Sequence, residues 1–106
     1  MYARVTLLEI DPVRVSLDDA LRMFEDDVLP GLRGLPGFEG AMVLSTDEGK
    51  GLILSLWATE EQSTAAASFA TEHLERNVTL FRSPPGREQY RVAIADLPSA
   101  VEVGAS

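Results

Sequence analysis

The chain has 106 residues, a formal net charge of −8 and no cysteine. An acidic surface repels phosphate, which argues against nucleic acid and anionic membranes as partners. The lack of cysteine removes disulfides, thiolate nucleophiles and zinc–thiolate sites, and suits a reducing compartment. No apolar run approaches the ~18 residues needed to cross a bilayer. Met1–Val5 lacks the basic start and apolar stretch of a signal peptide, so a cytoplasmic protein is expected. Length and a hydrophobic fraction of 45% fit one folded domain, expected over residues 1–97 with a tail at 98–106.

Tyr2 to Ile10 reads as the first strand, with Ala3, Val5 and Leu7 on one face and Arg4, Thr6 and Leu8 on the other. Asp11-Pro12 closes it. Ser16 can cap the first helix by accepting from the amide of Asp19, and Asp18 and Asp19 suit the positive end of the helix dipole. Leu17, Ala20, Leu21, Phe24 and Val28 follow helical spacing. Pro30 removes a backbone bond and predicts a kink, with Gly31 and Gly34 as the stop.

Leu35-Pro-Gly-Phe38 turns into a second strand, Phe38 to Thr46. Its alternation puts Phe38, Gly40, Met42 and Leu44 together, and Gly40 suggests a bulge. Thr46 to Lys50 is a hairpin loop. The third strand, Gly51 to Trp57, is apolar on both faces: Leu52, Leu54 and Leu56 against Ile53, Ser55 and Trp57. Thr59 and Gln62 form a capping box for the second helix, which carries Ala66, Phe69, Ala70, His73 and Asn77 along one side and ends near Asn77. Arg82 to Gly86 is a break. Glu88 to Ala95 is the last strand, with Tyr90, Val92 and Ile94 opposite Gln89, Arg91 and Ala93.

The order strand, helix, strand, strand, helix, strand is the ferredoxin-like βαββαβ pattern of the α+β class. Right-handed crossovers put both helices on one face of a four-stranded antiparallel sheet. The other face is left bare, and a bare apolar face is larger than a monomer usually exposes. A homodimer packed through these faces is therefore expected. Alternation alone does not say which set of side chains faces the helices; if Trp57 does, Leu52, Leu54 and Leu56 lie on the bare side.

Three stretches carry a resemblance: Val28 to Phe38 with its Leu-Pro-Gly-Phe turn, Gly51 to Glu61 with Trp57 before an acidic helix start, and Gln89-Tyr-Arg-Val92. Across Tyr2 to Asp96 the chain resembles the antibiotic biosynthesis monooxygenase-like family of dimeric α+β barrels. The resemblance implies a ligand held between sheet and helices in each subunit. It also implies cofactor-independent oxidation of a phenolic or quinone-type compound, with no metal or other cofactor. Trp57 matches the family's strand tryptophan, and Trp57, Tyr90, Arg91 and Asn77 could line a phenolic substrate. His73 stands broadly where haem-degrading relatives keep their iron ligand. Those relatives also use a second tryptophan on that helix and an asparagine on strand one, where this chain has a single tryptophan in all and Thr6.

Each candidate has a plainer reading beside it. Trp57 suits a core as well as a ligand wall. His73 is the sole imidazole, hence the obvious general base, but it equally suits a structural position; Asn77, one turn on, can converge with it or merely end the helix. The candidate catalytic pair is thus His73 and Asn77, and the candidate ligand contacts are Trp57, Phe69, Tyr90 and Arg91. Arg4 and Arg91 are read as neutralised by Glu9 or Glu39, across the sheet or the dimer seam. No phosphate loop, dinucleotide fingerprint or hydrolase elbow is present. A non-catalytic dimeric module, its interior filled by its own side chains, is the alternative. A closed interior would favour the module, and an open pocket a ligand.

Overall fold

A computed structural model describes residues 1–77, 80–81 and 86–97. The expected tail, and Arg82 to Pro85 of the expected break, lie outside them. The elements are β1 (Tyr2–Glu9), α1 (Leu17–Met23), a π-helical turn (Phe24–Val28), α2 (Leu29–Arg33), β2 (Phe38–Ser45), β3 (Lys50–Trp57), α3 (Glu60–Arg76) and β4 (Gly86–Arg91). The strands form one antiparallel sheet in the order β2-β3-β1-β4, the ferredoxin-like α+β architecture.

Local chemistry sets the element ends. Ser16 Oγ accepts from the Asp19 amide at 3.1 Å, closing the start of α1, a contact of the kind that contributes about 1 kcal/mol. Pro30 lacks an N–H, and the helix widens just before it: the Leu29 amide bonds back to the Phe24 carbonyl, an i to i+5 step. The kink expected at Pro30 is therefore spread over one π turn. Gly34 ends α2 as expected, but Gly31 lies within α2. Its bare Cα makes room for the Phe69 ring, which would stand 2.2 Å from an added Cβ. The Thr59 hydroxyl accepts from the Gln62 amide at 3.2 Å. The reciprocal half of the capping box is missing, because the Gln62 side chain packs against Gly37 with its Oε1 unpartnered.

Register settles the faces. Arg4, Ser55, Ala41 and Gln89 are direct neighbours across the four strands, as are Val5, Leu54, Met42 and Glu88. The Arg4 row faces the helices and the Val5 row is the outer face. One expectation fails here. A bulge between Phe38 and Gly40 shifts the register, so Phe38 pairs with Trp57 on the helix side while Gly40, Met42 and Leu44 stay outside. Two residues opposing one on the partner strand reverse the alternation across the bulge. β4 also stops at Arg91, short of Ala95. One further bond, Val92 N–H to the Met1 carbonyl at 2.9 Å, ends the pairing, and Ile94 is 88% exposed.

The interior is thinly filled. Among the described residues the buried apolar side chains are Ala3, Ile10, Leu32, Trp57 and Ala66. Leu32, Trp57 and Ala66 form one cluster at the end of the sheet where α3 begins, with Phe24, Val28, Leu35, Phe38 and Phe69 around it. At the opposite end, the Ile10 amide bonds the Gly49 carbonyl at 3.1 Å, and Ile10 bridges Phe81. Gly49 turns the β2–β3 hairpin at φ +89°, and an added Cβ would stand 2.4 Å from Ile10. Both the positive φ and the contact exclude a side chain. Gly49→Ala should therefore lower stability by more than about 1 kcal/mol, read as a fall in the denaturant midpoint at unchanged m-value.

Candidate functional site

Between the two packed ends, the helices stand off the sheet. The space is a cavity of about 640 Å³, within the ~300–1,000 Å³ range of small-molecule sites. β1 contributes Arg4, Thr6 and Leu8; β3 contributes Ile53 and Ser55. The helical roof includes Leu21, Phe24, Val28, Ala70 and His73. The π turn places Phe24 and Val28 in this roof, a common setting for such turns.

Trp57 closes the cavity floor at its packed end. The residue has no solvent-exposed surface. Its indole N–H donates to Ser55 Oγ at 2.9 Å, and Phe38 meets it edge-on at 5.5 Å between ring centres. Its ring is held as a wall, with the polar edge already used. His73 is half-buried on α3, its imidazole 4.5 Å from the Phe69 ring centre. Asn77 is also in the lining, but its amide donates to the His73 backbone carbonyl at 2.9 Å, which finishes the helix.

Arg4 is the charge that the sequence reading took for a neutralised structural one. It lies on the cavity side of β1, half-buried, and its one described hydrogen bond is a long one, Nη1 to Gln89 Oε1 at 3.4 Å. That oxygen is shared with the hydroxyls of Ser63 at 2.9 Å and Thr64 at 3.4 Å. Neutralisation of Arg4 and Arg91 by Glu9 or Glu39 across the sheet is not found within the chain: the described ion pairs are Arg14–Asp11, Arg22–Asp19 and Arg76–Glu72. Glu9 shares the outer face with Leu7, and Glu39 sits exposed in the bulge. Burial, and after it the nearby Arg87 charge, hold the Arg4 guanidinium below the ordinary arginine value. An arginine in step with Thr6 and Leu8 on an otherwise apolar strand face was the available signal.

The cavity thus gathers Trp57, His73 and Asn77 of the expected residues. Phe69 lies just behind the wall, in the Trp57 cluster and against His73. Tyr90 and Arg91 are not in the lining. Tyr90 points to the outer face, half exposed, with its hydroxyl on Glu88. Arg91 is exposed at the edge, opposite Tyr2. Adjacent strand residues cannot both face the helices: the register gives that side to Gln89 and Arg91 and turns Tyr90 away, while Arg91 lies at the exposed end of β4 beyond the cavity.

Solved structures match this arrangement along nearly its whole length. A Nitrosomonas europaea protein of unknown function is 25% identical, covering 93% of this chain and 95% of its own, with a TM-score of 0.74. A monooxygenase from the ActVA-Orf6 gene of Streptomyces coelicolor, in complex with nanaomycin D, is 21% identical over 92% of both chains, with a TM-score of 0.69. The fold is that of the antibiotic biosynthesis monooxygenase-like proteins. The same fold occurs in MhuD, a haem degrader from Mycobacterium tuberculosis with two haems in its active site, at 15% identity over 91% of this chain and 99% of that one, with a TM-score of 0.67. No protein-family model and no curated protein matches this sequence.

The Ser55–Trp57 bond gives a direct test of how the cavity floor is held. Ser55→Ala leaves a buried indole N–H without a partner and should cost about 1–3 kcal/mol. The midpoint should fall, and the emission of Trp57, the chain's sole tryptophan, should change in the folded state. Ser55→Thr should retain the bond and most of the stability.

Proposed function

We propose that this chain is a homodimeric monooxygenase of the cofactor-independent kind, taking a flat phenolic aromatic into the cavity between sheet and helices. The observation that carries the reading is the cavity itself: about 640 Å³, walled by apolar side chains, with a few polar groups at separated points. Proteins of this fold have been solved with nanaomycin D or haem bound, which supports an aromatic occupant here.

His73 takes the proton that activates the substrate. A phenol whose ring bears a doubly benzylic CH₂ then becomes an electron-rich carbanion and reduces molecular oxygen directly. The carbon–oxygen bond forms as a hydroperoxide. Loss of water cleaves the O–O bond, leaving one oxygen as the new quinone carbonyl and the other in water. The substrate supplies all the electrons, so the balance needs no flavin or metal. Trp57 acts as a rigid wall for the ring, because its N–H is committed to Ser55.

The homodimer rests on the outer face. Leu7, Met42, Leu44 and Tyr90 are between 43% and 52% exposed there, around half-buried Val5, Leu52, Leu54 and Leu56. A second copy covering this face would remove a continuous apolar surface from water. Sedimentation at micromolar concentration should give a dimer, and Leu54→Asp should give a monomer of lower stability. A monomeric wild type would remove the dimer from the proposal.

A second reading is a binding protein without chemistry. It is favoured by the commitment of the Asn77 amide to its own helix, which leaves His73 without that partner for proton transfer. Oxygen consumption with anthrone-type phenols separates the two. Under the oxygenase reading His73→Ala lowers the rate at least ~10-fold while ligand-induced Trp57 quenching persists, the loss expected when a general base is removed. Quenching with no oxygen uptake by the wild type leaves only the binding role. Haemin titration without a Soret shift eliminates haem as the occupant.

A further inference from the structure

The cavity has a polar group near each end, and the two differ in kind. Arg4 and Ser63 share Gln89 Oε1, so the guanidinium lies at the end of the cavity where α3 starts. His73 is ten residues beyond Ser63 on the same helix, roughly 15 Å along its axis at 1.5 Å per residue. Ala66 and Ala70, both in the lining, present small side chains over the space between.

We infer that Arg4 is the anchor for an anionic group on the ligand, so that the occupant is an aromatic acid with its oxyanion on Arg4 and its far end beside His73. This assignment deepens the proposed function and rests on the same cavity. It stands on three observations. Arg4 is in the lining and half-buried. Its guanidinium has five N–H donors, of which one has a described protein acceptor, at 3.4 Å. No carboxylate among the described residues lies within 4 Å of it.

A partly desolvated cation without a counter-charge is unfavourable, and an arriving carboxylate or acidic phenolate relieves it. A planar guanidinium suits such a group because two parallel N–H donors can reach two oxygens. Arg87 works in the same direction, since its charge already opposes that of Arg4. The carboxylates in the lining, Asp26 and Asp27, belong to exposed positions of the π turn and make no ion pair with Arg4. The site therefore selects against cationic and in favour of anionic aromatics, despite the protein's net charge of −8.

Two probes of the same shape test the assignment: anthraquinone-2-carboxylate and its uncharged carboxamide, with binding followed by Trp57 quenching and calorimetry. The wild type should prefer the carboxylate by about 10-fold or more, the factor that corresponds to ~1.4 kcal/mol. Arg4→Gln should abolish the preference while keeping carboxamide affinity, which also reports that the cavity remains folded. Arg4→Lys should retain part of the preference, and Arg87→Gln most of it. Equal binding of the two probes by the wild type would overturn the role of Arg4 and leave the aromatic cavity standing, as would a preference that survives Arg4→Gln. Failure of both probes to bind would overturn the cavity reading and the anchor with it.

Discussion

The structure depends on how Trp57 is fixed. Its indole fills the corner where β3 ends and α3 begins, bonded to Ser55 and braced by Phe38, Leu32 and Ala66. A large aromatic buried with its N–H satisfied is among the stronger local anchors a small domain can have. Here it holds both helices to one end of the sheet. Away from that end large apolar side chains such as Leu8, Leu21 and Ile53 line the space between the layers without filling it. The cavity is what remains between this end and the opposite one, where Ile10 meets Gly49 and Phe81.

The same economy explains the outer face. A chain of 106 residues offers two helical arms, and both cross the same side of the sheet. The apolar side chains of β1, β2 and β3 on the other side have no cover of their own. The proposed dimer and the hollow interior have one cause in common: the chain has more apolar sheet than helix to bury it. The proposed second copy would supply stability that a solid core would otherwise give.

Within the cavity the division of labour is electrostatic. His73 lies along α3 at one end, Ser55 and Trp57 occupy each other, and Arg4 holds a positive charge with little protein to answer it. The charges that make the protein acidic are spread over exposed helix starts, the π turn and loops, where water screens them. A local positive site inside an acidic molecule is consistent with this separation, because field strength depends on nearby groups and on burial more than on the total.

The sequence determined the framework by itself. Alternation in Tyr2–Ile10 and Gly51–Trp57, the Ser16 cap, the Thr59 helix start and the breaks at Asp11-Pro12 and Thr46–Lys50 set the element order, and the order implies the sheet topology. Those signals are local, so they can be read from neighbouring residues. The site was less legible because it depends on pairings between residues far apart in the chain. Which face of β3 met the helices, the inversion of Phe38 across the Gly40 bulge, the turning of Tyr90 away from the cavity and the isolation of Arg4 from Glu9 and Glu39 were decided only by register. A shift of one position exchanges the two faces of a strand, and nothing in the strand's own residues fixes that position.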